Sequence, residues 1–171
     1  ADSIARVVSQ PLSEALGQTV VLDNRTGAGG TIGANVVAQA APDGYTLLLS
    51  ATGPNAVAPS IYSNLPYDPL RSFASIGRLS VQPPIIVVNP SLGVKTVSEL
   101  IALANAKPGQ LNFGSPGVGT TSHLGGELFK FLAKVDIVHV PYKTGPVALT
   151  DLIGGQLSVI FDNIGPLFPH V

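Results

Sequence analysis

Residues 114–129 read GSPGVGTTSHLGGELF. Gly114, Gly117 and Gly119, one proline and the hydroxyl residues Ser115, Thr120, Thr121 and Ser122 lie directly before an apolar pattern of helical spacing. A glycine-rich turn lets backbone amides approach a ligand closely. A helix N-terminus behind it adds unpaired N–H groups and a partial positive charge. This combination suits a carboxylate or phosphate held by neutral donors. It also fits a plain strand-to-helix turn capped by Ser122, and residue types alone do not separate the two.

Other segments stand at comparable places. In open parallel sheets, ligands bind beyond the carboxyl ends of the strands. Thr52, Gly53, Pro54 and Asn55 follow the apolar run TLLLS, Tyr142, Lys143 and Thr144 close DIVHVPY, and Asp162 closes LSVIF. These segments are rich in hydroxyls, amides and glycine, and Lys143 is the one fixed cation in them. A carboxylate such as Asp162 receives a ligand amine or hydroxyl, or caps the next helix. GAGGTIG (27–33) follows an apolar run and opens a helix, but Gly27-x-Gly29-x-x-x-Gly33 is one residue longer than the dinucleotide fingerprint. A tight turn accounts for it better. His123 and Glu127 are one helical turn apart, yet no third ligand and second shell complete a zinc site. His123 reads as a helix-cap histidine and His139 as a structural strand residue. Ser115 with His123 lacks the elbow motif and third member that hydrolysis requires.

The elements that must position these residues are legible from periodicity. Helices are expected over 4–16, broken or kinked at Pro11, and over 33–41, 97–106, 122–133 and 146–155. Thr96-Val-Ser-Glu99 matches a capping box. Leu124, Leu128, Phe131 and Leu132 fall on one helix face. Short strands are expected at 19–24, 46–50, 73–80, 84–90, 111–115, 136–142 and 157–162, and IGPLFPHV starts a further element. Alternating strands and helices give parallel α/β architecture. NPSLGVK marks the expected boundary, with lobes at 1–92 and 93–171. A composition 45% hydrophobic and 11% charged supports a sizeable core. Nine basic against ten acidic residues leave no basic stripe for nucleic acid. Without cysteine there is no disulfide or thiolate metal site. No apolar run reaches the length of a membrane span.

Taken together, ARVVSQPLSEALGQTVVLDNRTGAGGTIGANVVAQAAPDGYTLLL, IYSNLPYDPLRSFASIG, LNFGSPGVGTTSHLGGELF, DIVHVPYK and LIGGQLSVIFDN resemble the Bug-type solute-binding proteins of tripartite tricarboxylate transporters. The resemblance implies a two-lobed α/β fold of the type II periplasmic-binding-protein kind, incomplete at both ends here. It implies a periplasmic receptor, not an enzyme, that needs no cofactor or metal. Its cleft would close on a small carboxylate, such as a di- or tricarboxylate, an amino acid or an aromatic acid, for delivery to a membrane permease. Carried onto this chain, the ligand-facing loops are Thr52, Gly53 and Asn55; Ser115, Gly117, Gly119, Thr120, Thr121 and Ser122; Tyr142 and Lys143; and Asp162. Asp2 corresponds to the end of the family's first glycine-rich loop. Thr144 stands where many relatives carry glycine, so that loop is expected to differ in shape. The competing reading is a nucleotide- or phosphate-binding α/β enzyme using loops 27–33 and 114–122.

Overall fold

The computed structural model describes residues 2–167; the end of the element expected from IGPLFPHV lies outside the described residues. The chain forms two compact units that divide between Ala74 and Ser75.

The first unit carries helices α1 (Asp2–Leu16), α2 (Thr31–Ala38) and the single turn α3 (Ala58–Ile61). Of the break or kink expected at Pro11, the break does not occur: α1 runs through it. Proline forfeits one backbone hydrogen bond, and the Ser9 and Ser13 hydroxyls add bonds of 3.1 and 2.7 Å to the carbonyls of Arg6 and Ser9 on either side. The runs at 19–24 and 46–50 are not strands, nor is 73–80, which straddles the division. A strand exists only through a ladder partner. These runs have none among the described residues, and Val21, Leu47 and Ile76 are exposed.

The second unit contains β1 (Pro84–Val88), α4 (Val97–Ala106), β2 (Asn112–Ser115), α5 (Thr121–Ala133), β3 (Val138–Pro141), α6 (Gly145–Ile153), β4 (Val159–Asn163) and the short α7 (Ile164–Leu167). Sheet order is β1-β4-β2-β3. Strands β2, β3 and β4 are parallel, but β1 runs antiparallel to β4, with Ile86 opposite Phe161. The sheet is therefore mixed rather than parallel throughout. It also moves the boundary away from 92/93. Residues 84–92 belong to the second unit, where the Asn89 side chain donates to the Leu152 carbonyl and accepts from the Ser91 amide.

Strand alternation sends successive side chains to opposite faces and builds two cores. Phe113, Val159 and Phe161 pack with Leu100, Ala104, Val135 and Ile137 on one face. Ile160 packs with Ala148, Leu152, Leu157 and Leu167 on the other. The capping box forms as expected. The Glu99 amide donates to Thr96 Oγ1 at 3.2 Å, and the Thr96 amide donates back to the Glu99 carboxylate at 3.2 Å.

Candidate functional site

The three parallel strands end on one edge of the sheet, and each leads directly into a helix. The Tyr142 amide donates to the Ser115 carbonyl at 2.8 Å, so the segments leaving β2 and β3 start side by side. Sequence-predicted residues 115–122, 142–143 and 162 are thus brought to one edge.

How close α5 sits to the sheet is decided by glycine. A Cβ on Gly126 would lie 2.1 Å from the Phe113 ring, and one on Gly125 would lie 3.3 Å from Phe161 Cβ. Ser122 and Gly126 are the buried positions of the helix, while Leu124, Leu128, Phe131 and Leu132 are exposed. The apolar stripe therefore faces away from the sheet, and where α5 crosses the Phe113 ring there is room only for glycine, at Gly126. Gly114 plays the same part on the other face, where a Cβ would meet Leu157 at 2.4 Å.

The loop between β2 and α5 is bound from within. Gly117 and Gly119 take φ of 124° and 81°, in the region that favours glycine. Thr120, not Ser122, is the N-cap: its hydroxyl accepts from the His123 amide at 3.3 Å and donates to the Gly117 carbonyl at 2.7 Å. Ser115 is buried, with its Oγ 2.7 Å from His139 Nε2 and 3.2 Å from both the amide and the carbonyl of Gly117. The Gly119 amide donates to His123 Nδ1 at 3.3 Å, and the Thr120 amide to the Gly117 carbonyl at 3.4 Å. Among the described residues, the amides of Val118, Thr121 and Ser122 find no acceptor. Val118 and Thr121 are exposed. Thus some donors of the predicted loop serve its own structure and others remain available.

Next to it, α6 begins without a side-chain cap from Thr144. Lys143 is exposed and forms no ion pair among the described residues. Tyr142 is turned inward: its hydroxyl donates to Asp151 at 2.7 Å, and burial together with that carboxylate pushes its pKa up to about 12. Its phenol is therefore spent inside the unit. Asp162 shares a sheet face with Ile160, and a Cβ on Gly145 would lie 3.5 Å from its Oδ2. Its Oδ1 accepts from the Asn163 amide at 2.7 Å.

The remaining predicted residues belong to the first unit. Asp2 lies in the first turn of α1 and is held below the usual carboxylate range, first by the hydrogen bond it accepts from Arg6 at 2.9 Å and then by the one it accepts from Asn24 at 2.7 Å. Gly53 is buried, whereas Thr52 and Asn55 are exposed, and Asn55 Oδ1 accepts from Ser50 Oγ at 2.8 Å. In GAGGTIG, Gly27, Gly29 and Gly30 all have positive φ, and a Cβ on Gly30 would lie 2.9 Å from Pro54. Turn geometry and close packing account for these glycines. Among the described residues, no group of three or more His, Cys, Asp or Glu side chains could hold a metal ion.

Sequence reasoning missed the link between Ser115 and His139. Both lie on the Phe113 face, since Ser115 is two residues beyond Phe113 and His139 is opposite Phe113. Only the β2–β3 register reveals it.

A mixed sheet layered by helices, with donor-rich loops at the ends of its parallel strands, describes an α/β module of the kind that carries a ligand at its strand ends. The profile of the tripartite tricarboxylate transporter family receptors matches residues 4–171, and the chain belongs to that receptor family. BugT of Bordetella pertussis is 37% identical over 171 residues, an alignment taking in 99% of this chain and 52% of BugT. An R. palustris protein solved with adipate is 37% identical, with a TM-score of 0.94 over 98% of this chain and 57% of its own. MatC of Rhodopseudomonas palustris, solved with bound malate, is 32% identical, with a TM-score of 0.91 over the same shares. The periplasmic binding protein BugD is 34% identical, with a TM-score of 0.91, again over 98% of this chain and 57% of its own. The chain spans about half the length of the curated relatives it matches. The family is one of solute-binding receptors rather than enzymes. No helix among the described residues is long and apolar enough to cross a membrane.

Proposed function

We propose that this chain is the ligand-capturing part of a periplasmic receptor for a small carboxylate, which it presents to a membrane permease of the tripartite type. The observation that carries the reading is the edge where β2 and β3 end together. There the unpaired amides of Val118, Thr121 and Ser122 and the uncapped start of α6 offer neutral donors. Helix N-termini bind anions through such groups. Thr121 adds a hydroxyl, Lys143 a nearby charge, and Asp162 an acceptor for a hydroxyl or ammonium on the ligand. Ser115, Gly117, Gly119 and Thr120 act by shaping the loop. For the first unit taken by itself, the family resemblance points to Thr52, Gly53, Asn55 and Asp2 as ligand-facing residues. That one similar protein was solved with adipate and another with malate supports a carboxylate as the ligand class.

Thermal denaturation with a panel of di- and tricarboxylates, amino acids and aromatic acids tests the reading. One or more acids should raise the melting temperature saturably, while their amides do not. No shift with any acid would refute it.

A further inference from the structure

Two histidines lie beneath the loop between β2 and α5. The ring centroids of His123 and His139 are 4.4 Å apart, and His139 stacks on Phe113 at 4.9 Å. Each ring touches the loop at a different point. His123 Nδ1 accepts the Gly119 amide hydrogen, and His139 Nε2 is 2.7 Å from Ser115 Oγ, which in turn bonds Gly117. An imidazole accepts an N–H only through a nitrogen that carries no proton. The observed loop therefore requires His123 neutral, with its proton on Nε2.

We propose that His123 and His139 are positioning residues that hold the carboxylate-binding loop in shape only while His123 is neutral, so that proton uptake releases the Gly119 amide and weakens ligand binding. Proton uptake at Nδ1 turns the acceptor into a donor and sets it against the Gly119 N–H. The neighbouring ring opposes a second charge, and burial, then His123, hold His139 below the usual histidine range. The charged groups that act on His139, besides His123, are Glu127 and Lys130, both on α5, and they bridge each other at 3.0 Å. From β2, His139 meets Phe113 and Ser115, which carry no charge. The ligand part of this inference rests on the carboxylate reading above.

The test begins without ligand. In the ¹⁵N-labelled protein, the Gly119 amide resonance should move as pH is lowered from about 8 to about 5, the span over which histidine side chains in general change charge. In H123N, which keeps an acceptor near the Nδ1 position but cannot titrate, that movement should vanish. A Gly119 resonance that stays still over this span, or that moves unchanged in H123N, would overturn the proposal. Malate and adipate then serve as probes. Affinity should fall by about threefold to tenfold across the same range, the scale of one hydrogen bond, and H123N should flatten the fall. If Gly119 titrates as described but neither acid nor any member of the carboxylate panel binds at about pH 8, the latch stands and the carboxylate reading fails. If an acid binds with the same pH dependence in H123N as in the parent, the reading stands and the latch fails.

Discussion

Replacing Gly126 by alanine perturbs one contact whose size is set by the structure. The new Cβ would lie 2.1, 2.5 and 2.6 Å from three atoms of the Phe113 ring. Carbon atoms rest at about 3.5–4.0 Å, so helix and ring must separate by about 1 Å or more. Phe113 cannot swing aside: it is fully buried, stacked on His139 and set edge-on to Phe161 at 5.7 Å. Overpacking of this kind costs about 1–3 kcal/mol. Alanine returns up to about 1 kcal/mol through its better helix propensity. Contacts this short put the cost in the upper part of that range, about 2–3 kcal/mol, so a net loss of about 1–2 kcal/mol remains after about 1 kcal/mol is returned, which lowers the melting temperature by roughly 2–8 °C at this chain length. Urea unfolding and calorimetry of Gly126→Ala beside Gly125→Ala measure it. The second variant meets Phe161 Cβ at 3.3 Å and should lose far less. A Gly126→Ala protein as stable as its parent, or more so, would refute the claim that glycine sets the seat of α5.

Further expectations follow from single contacts. Thr96→Ala removes a capping box formed in both directions and should cost about 1 kcal/mol in urea unfolding. His139 is held below its unfolded value, so the unfolded chain binds more protons between the two values. Its contribution is whole above about pH 6.5 and is lost as pH falls through that value toward the folded one; His139→Gln should flatten this part of a stability–pH profile. Contiguous exposed apolar surface promotes association. The stripe of Leu128, Phe131 and Leu132 should therefore make this chain self-associate, and sedimentation velocity should show less of it after Phe131→Ser with Leu132→Ser.

Much of the second unit was legible because its signals are local. PIIVV, the capping box at Thr96, and the helices over 97–106, 122–133 and 146–155 need only neighbours in sequence to declare themselves. The β2–α5 loop was legible in the same way, as glycine and hydroxyls before a helix. What escaped depends on partners far along the chain. TVVLDN and TLLLS have the apolar content of strands, yet a strand needs a ladder, and none reaches them among the described residues. The antiparallel course of β1 and the boundary it moves rest on pairing with residues 159–163. Leu124, Leu128, Phe131 and Leu132 form an apolar stripe, but the buried side belongs to Ser122 and Gly126, and the Phe113 ring reserves the second of these for glycine. The cap fell to Thr120 rather than Ser122 because three successive hydroxyl residues leave sequence no means of choosing. Register alone brought His139 to Ser115.

The central claim is that neutral dipoles at the strand ends, not a cation, hold the carboxylate. Proline is welcome at the first position of a helix, and Thr120 already has the extended backbone, φ −75° and ψ 160°, that a following proline demands. Thr121→Pro therefore deletes one unpaired amide donor and a hydroxyl while leaving α5 in place. Calorimetric titration of malate and adipate into the parent, Thr121→Pro and Lys143→Ala is the most direct measurement. The account predicts at least about tenfold weaker binding for Thr121→Pro, the loss of a hydrogen bond to a charged group, at unchanged melting temperature, and a change of less than about threefold for the exposed Lys143→Ala. Binding abolished in Lys143→Ala and untouched in Thr121→Pro would contradict it.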